Sequence, residues 1–416
     1  ALGIDSTDDD NYKITIQYAN TTQISGGASE SGGKAGSEIV DNVTIEAPNI
    51  YAGVGLANNI VSKSFSMSHA KLIVFSKEIA EKGVKDMIET LVRSEEIRPD
   101  VFIAVANTTA NDYLTSVNPE MEVNPAQYYQ LIYQKNQLVG IPDGQLREFF
   151  TGLYTDNYDS ILPVAGVIEG AGGNSQNDDK GQSKDGQNEG SEGSSESLDS
   201  FESKSSDDKD ENEKEKDAEK NTSKYEYDIK NYVGGETAIE KKNKAEAIGA
   251  AVFEKDKMVG ELGEVETEIC KILKGDYTYS YLTYYNNDTP DIPITVKTTQ
   301  QKKPKYKIDT DKKTVDIELY IESDLYSLPA DYNVENKIED FERDVANYTS
   351  SACTEFINNF TKKYNSDILK LNEKVKYKFL TNNQYNWFKK NVGWSEYKFS
   401  VCTNFKVRRT GLIVRK

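Results

Sequence analysis

The sequence predicts an α+β protein with mixed β-sheets and a long C-terminal helix packed on the last sheet. Three observations carry that reading. Short apolar runs flank a helical stretch in the first quarter of the chain. A long series of apolar residues at helical spacing lies near the end, and strands of alternating polarity stand on either side of it. A chain of 416 residues has room for two or three domains, since folded domains usually run to roughly 100–200 residues.

Leu2-Gly3-Ile4-Asp5 opens the chain as a strand. Tyr12–Ala19 sets Ile14, Ile16 and Tyr18 against Lys13, Thr15 and Gln17, the pattern of a half-buried strand. The Gly/Ser-rich stretch Ser25–Gly36 reads as a flexible loop. Lys71–Phe75 is a short apolar strand. Glu78–Arg93 follows with Ile79, Val84, Met87, Ile88 and Leu91 at helical spacing, broken at Gly83. Val101–Ala106 is a second apolar run, and strand, helix, strand over this length predicts a βαβ unit with local parallel pairing.

From about Gly170 to Ser223 the chain is Gly, Ser, Asn, Gln and charge, with Leu198 and Phe201 its only large apolar side chains. Such a stretch cannot bury enough surface to offset its ordering entropy, so a disordered acidic insertion is expected. Order returns near Ile248, where Gly249–Phe253 and Lys257–Gly260 read as strands joined by a turn at Glu254–Asp256. Val315, Ile317, Leu319 and Ile321 mark another strand. Ile338, Phe341, Val345, Tyr348, Ala352, Phe356, Phe360 and Tyr364 then step by three and four. They predict a helix over 335–364, about 45 Å long. Tyr397, Phe399 and Val401, then Phe405 and Val407, return the chain to strand.

The net charge of −19 argues against a general nucleic-acid binder, which needs a basic surface for phosphate. About half of that excess sits in the acidic stretch, so the folded parts are far less acidic. Cys270, Cys353 and Cys402 lie far apart and away from the single histidine, His69, which argues against zinc and for buried free thiols. No apolar run is long enough to span a bilayer. The chain opens at Ala1 inside a strand, without Met or a charged-then-apolar leader, so a targeting segment is expected upstream.

Most candidate chemistry fails on spacing. Gly33-Lys34 lacks the following hydroxyl and the leading Gly of a P-loop. Asp5, Asp8, Asp9 and Asp10 lack the alternation, central Gly and closing Glu of a calcium loop, and read as solvated turn acids. His69 has no nucleophile motif beside it and reads as structural. One feature remains. Lys374, Lys376 and Lys378 alternate with Val375, Tyr377 and Phe379 in a strongly basic segment that runs from Lys370 to Lys416. A strand would put all three ammonium groups on one face. That face is either a solvated or blunted sheet edge, or a contact surface for anionic lipid headgroups or an acidic partner.

Ile248-Gly-Ala-Ala-Val-Phe-Glu-Lys-Asp-Lys-Met-Val-Gly-Glu-Leu262 resembles the G-x-A-V-F-x-x-D-K-L-V-G-x-L segment of the Ger(x)C spore germination proteins. Leu2–Asp5 is similar to that family's first strand. Ser68–Ala80 with Gly83 resembles its H-x-K-x-I-(I/V)-x-G-E-x-x-A-x-x-G stretch, and Leu91–Arg93 through Ile97-Arg98 its R-D-x-E-I-R element, with Ser94 in place of the Asp. Tyr364–Leu369, Trp394 and the closing strands to Gly411 are similar to its C-terminal block.

The resemblance implies three domains. They are an N-terminal α/β domain over 1–130, a middle domain over 131–275 interrupted by the insertion at 170–223, and a C-terminal α+β domain over 276–416. It implies the C subunit of a spore germinant receptor, a non-enzymatic lipoprotein with no catalytic residue, metal or cofactor. That subunit would sit lipid-anchored on the outer face of the spore inner membrane with integral-membrane A and B subunits, and His69 and Arg93 would be structural. An extracytoplasmic solute-binding lipoprotein or a cell-wall hydrolase are the alternatives. The lead reading expects broad contact surfaces and no deep polar pocket between domains.

Overall fold

The structure, a computed structural model, describes residues 1–9, 11–19, 40–61, 64–119, 122, 124–134, 140–155, 157–168, 225–227, 231–237, 243–286, 289–328, 334–364 and 366–410. The Gly33-Lys34 stretch and the acidic insertion at 170–223 lie outside them.

The first part of the chain runs β1 (Leu2–Ser6), β2 (Tyr12–Ala19), β3 (Val40–Ala47), α1 (Ile50–Ala57), β4 (Leu72–Ser76), α2 (Lys77–Lys82), α3 (Lys85–Arg93), β5 (Phe102–Ala106), α4 (Ala110–Ser116), α5 (Pro125–Gln134), α6 (Leu146–Thr155) and β6 (Ile161–Val167). After β7 (Tyr225–Tyr227) come β8 (Ala245–Glu254) and β9 (Lys257–Leu262). Eight of these strands form one sheet in the order β3-β2-β1-β4-β5-β6-β8-β9. Its four central strands pair in parallel and both flanks are antiparallel. The sheet runs straight across residue 130, because β6, β8 and β9 extend it.

The expected βαβ unit is present, with Leu72–Ser76 paired in parallel to Phe102–Ala106. Every residue of these two strands is buried. Continuous apolar runs of this kind belong to parallel strands covered on both faces. Ile73, Phe75, Ile103 and Val105 face one core, shared with Ile79, Ile88, Leu91 and Phe149 from α2, α3 and α6. Leu72, Val74, Phe102 and Ala104 face a second core with Tyr113, Tyr129 and Tyr133 from α4 and α5. Gly83 breaks the helix as expected, at φ +125°, a conformation that side-chain-bearing residues rarely adopt.

Two expectations for the start of the chain are corrected. β2 is not half-buried, since Thr15 and Gln17 are as enclosed as Ile14 and Ile16. Gln17 donates to the Leu114 carbonyl, and Thr15 bonds the Asn111 side chain at 3.1 Å, so α4 covers the polar face of β2. Asp5 is not a solvated turn acid. It is buried and accepts from the Ala110 and Asn111 amides at 2.6 and 3.0 Å, capping α4.

The second part comprises α7 (Glu264–Lys274), β10 (Tyr279–Asn286), β11 (Thr289–Gln300), β12 (Lys305–Asp309), β13 (Thr314–Ser327), α8 (Val334–Lys363), α9 (Leu371–Val375), a 3₁₀ turn at Lys376–Lys378, α10 (Asn382–Asn391) and β14 (Lys398–Arg409). β13 is central. It pairs with β11 and β12 antiparallel and with β14 in parallel. Val315, Ile317, Leu319 and Ile321 point inward, as their alternation predicts. The long helix lies at Val334–Lys363, and its Phe341, Val345, Ile357 and Phe360 share a core with Phe399, Val401 and Phe405 of β14. Ile161, Ala250, Val252 and Leu262 of the first sheet join the same core. The architecture is α+β with mixed sheets and the long helix on the last of them.

Candidate functional site

Lys374, Lys376 and Lys378 do not lie on a strand. Lys374 belongs to α9, and Lys376 and Lys378 form the ends of the 3₁₀ turn. The reason is a second periodicity in the same residues. Leu371, Val375 and Phe379 step by four, and Leu371 and Val375 are buried while Tyr377 is exposed. Each buried aliphatic side chain is worth about 1.5–3 kcal/mol, more than a strand with no neighbour could recover. The Asp367 carboxylate fixes the start of α9 by accepting from the Leu371 and Asn372 amides, both at 2.8 Å.

The three ammonium groups therefore have three separate environments. Lys374 is half-buried, donates to the Leu369 carbonyl and lies 4.5 Å from the centre of the Tyr306 ring. Its burial pulls its pKa down. Lys378 reaches the Ile308 carbonyl of β12. Lys376 is exposed, 5.7 Å from the Tyr385 ring centre. His69 is exposed at the end of the 3₁₀ turn Met67–His69, whose Met67 is buried, and Arg93 pairs with Glu89 one turn back on α3 at 3.1 Å. Cys270 and Cys353 are buried free thiols, as expected, but Cys402 is exposed on β14.

Where α9 meets the first sheet the structure gathers groups that sequence reasoning missed. The Asp159 amide donates to the Asp367 carbonyl at 3.2 Å, and the Asp367 amide returns to Asp159 Oδ2 at 2.8 Å. Lys370, in the left-handed region at φ +57°, pairs with Glu148 of α6 at 3.2 Å and lies 4.1 Å from the Tyr158 ring centre. Burial pushes the Asp367 carboxyl up to about 7 and raises Asp159. The available signal was an Asp ahead of an i,i+4 apolar pair, which marks a helix start.

This junction is flanked by two clefts. The first, about 330 Å³, is lined by Asp143, Glu148, Tyr158, Lys271, Lys274 and Lys370, among others. The second, about 540 Å³, includes Asp159, Asn372, Lys389 and Trp394. In the first cleft the charges answer one another. Glu148 is paired with Lys370, and Lys274 stands 3.8 Å from Asp276. Burial raises Asp143 and lowers Lys271 to about 8. For Glu148 burial acts upward, but Lys370 outweighs it and holds the carboxyl below its ordinary range. Among the described residues no helix is long and apolar enough to cross a membrane.

Comparison with known proteins falls on both halves of the chain. Residues 1–167 match the spore germination protein N-terminal domain, and residues 248–411 match the spore germination B3/GerAC-like C-terminal family. Spore germination protein KC of Bacillus subtilis (strain 168) is 28% identical over 145 residues, which is 32% of this chain and 35% of that protein. Spore germination protein GerQC of Bacillus cereus is 27% identical over 104 residues, 25% of this chain and 29% of that one. The matched segments thus span about a third of these relatives' length. The crystal structure of the GerBC protein superposes with a TM-score of 0.52 at 15% identity, covering 98% of this chain and 96% of that one, a likeness of fold. With both of its family domains matched in order, over residues 1–167 and 248–411, the chain belongs to the Ger(x)C family of spore germination proteins.

Proposed function

We propose that this chain is the C subunit of a spore germinant receptor. It is a non-enzymatic lipoprotein that supports nutrient-triggered germination by assembling with integral-membrane A and B subunits at the outer face of the spore inner membrane. The observation that carries this reading is the ordered match of both halves to the germination family. The Glu148–Lys370 pair and the backbone amides held by Asp159 and Asp367 fit a structural junction and so support it. A lipid anchor upstream would give only marginal membrane binding alone, so subunit or surface contacts are needed as a second attachment. Deleting the gene from the parent organism and following spore refractility across a nutrient panel tests the reading. Loss of response to at least one nutrient is expected, and unchanged responses to all of them would contradict it.

The first cleft favours a second reading, capture of a small polar solute, since Asp143, Glu148 and Lys271 have displaced pKa values within one concave site. A saturable rise in melting temperature with a polar ligand, lost in Lys370→Met, would support it. The hydrolase alternative would use the same two acids, and peptidoglycan cleavage abolished by Glu148→Gln is its test.

A further inference from the structure

Large apolar side chains that stand mostly in water need an account, and three of this chain's lie within eleven residues. Leu380 is 95% exposed, Tyr377 78% and Trp387 68%. Their exposure follows from how the segment packs. Phe379 fills the inner face of α10, with its ring 5.9 Å from Tyr385 and 4.9 Å from Phe388. A hydrophobic residue just ahead of a helix cap usually packs back onto the first turn. Here Phe379 takes that place and the next residue, Leu380, is turned outward, just before the Thr381 cap. Trp387 stands on the side of α10 opposite Tyr385, Phe388 and Val392, because the helix advances about 100° per residue. Tyr377 projects from the 3₁₀ turn between Lys376 and Lys378.

We propose that this knuckle, residues 376–390, docks on an anionic membrane surface. Tyr377, Leu380 and Trp387 enter the boundary between headgroups and acyl chains, and Lys376 and Lys390 meet the lipid phosphates. The occupant is argued from chemistry and charge. Trp and Tyr pair an apolar ring with a polar tip and settle at that boundary, with Lys beside them. The charge is complementary. In a chain of net charge −19 the segment 374–409 is strongly basic, interrupted only by Glu396. Each such cation near an anionic bilayer adds attraction that salt weakens. Tyr377, Leu380 and Trp387 line neither polar cleft, whereas Lys390 lines the second.

The proposal deepens the receptor reading by supplying the second attachment it needs. Its test uses this chain alone, so it can fail while the receptor assignment stands. The chain is sedimented with vesicles of phosphatidylcholine, with and without phosphatidylglycerol, at low and high salt. Its tryptophan emission is followed with lipids brominated in the acyl chains. Binding to the anionic vesicles is expected, weakened by salt and about tenfold weaker in Tyr377→Ser/Leu380→Ser/Trp387→Ser, a loss of about 1.4 kcal/mol. Lys376→Gln/Lys390→Gln reduces binding to anionic vesicles and leaves the fold intact, since both side chains are exposed. Bromolipid quenching is expected in the wild type and absent in Trp387→Phe, which keeps the buried Trp394. Equal binding by the triple-serine variant and the wild type, or no binding to anionic vesicles at low salt, would overturn the proposal. So would knuckle-dependent capture of detergent-solubilised membrane subunits without vesicle binding, which would make the occupant a protein.

Discussion

Asp159 and Asp367 are 208 residues apart and exchange backbone and side-chain hydrogen bonds at the meeting of the two sheets. Asp159 precedes β6, and Asp367 stands between α8 and α9. One carboxylate holds the other's amide, and the second carboxylate caps the helix beyond. The first sheet, the long helix and the basic segment are thereby set relative to one another by two side chains.

Asp159→Ala removes the acceptor for the Lys255 and Asp367 amides. Asp159 lines both clefts, where water can replace part of the lost acceptor, so the expected loss is about 1 kcal/mol. Urea unfolding should show a lower midpoint at unchanged slope. A loss below about 0.5 kcal/mol, the range of ordinary surface changes, would show that the junction is carried by its apolar neighbours instead.

A hydroxyl pair in the second core offers a sharper test. Tyr113 and Tyr133 are buried, with their oxygens 2.9 Å apart. Tyr113→Phe leaves the Tyr133 hydroxyl without that partner and should cost about 1–2 kcal/mol. The double variant Tyr113→Phe/Tyr133→Phe should recover most of it, because no buried hydroxyl is then stranded. Additive losses in thermal unfolding would contradict the pairing.

Much of this architecture was legible because its signals were redundant. Leu72–Ser76 and Phe102–Ala106 are continuous apolar runs, Gly83 breaks a helical period, and the face of α8 repeats for eight turns. The errors share one physical cause, which is that a single period was read where the tertiary setting decided between two. Val375, Tyr377 and Phe379 alternate as in a strand, yet Leu371, Val375 and Phe379 also repeat as in a helix. The buried carboxylate of Asp367 selected the helix. Thr15 and Gln17 look solvated until α4 offers them partners. The junction could not be read locally, because Asp159 and Lys370 acquire their roles only when distant segments meet.

Glu268 of α7 is buried, and burial pushes its pKa up to about 7. In the unfolded chain it ionises near its ordinary 4.5. Between those values the folded state holds the proton and the unfolded state does not, so this group's contribution to stability falls as pH rises from 4.5 to 7. Glu268→Gln removes that slope. The variant should match the wild type near pH 5 and exceed it by about 2 kcal/mol near pH 8. A pH-independent difference in urea titrations would show that the carboxyl is not the titrating group.

Gly249 has φ +82°, and a Cβ there would stand 2.6 Å from the Leu262 carbonyl oxygen, a backbone atom of the paired strand β9. Gly249→Ala is therefore expected to cost about 3 kcal/mol, combining left-handed strain with displacement of β9. A melting temperature within a degree or so of wild type would mean that β8 shifts freely at this point.

The central claim, a receptor subunit that works by assembly, is tested most directly by co-purification. The full-length protein, tagged and expressed beside its candidate membrane subunits, is recovered from a detergent extract. The account predicts that those subunits come with it in fixed proportion. Recovery of the chain alone would contradict assembly and turn attention to the solute-binding cleft.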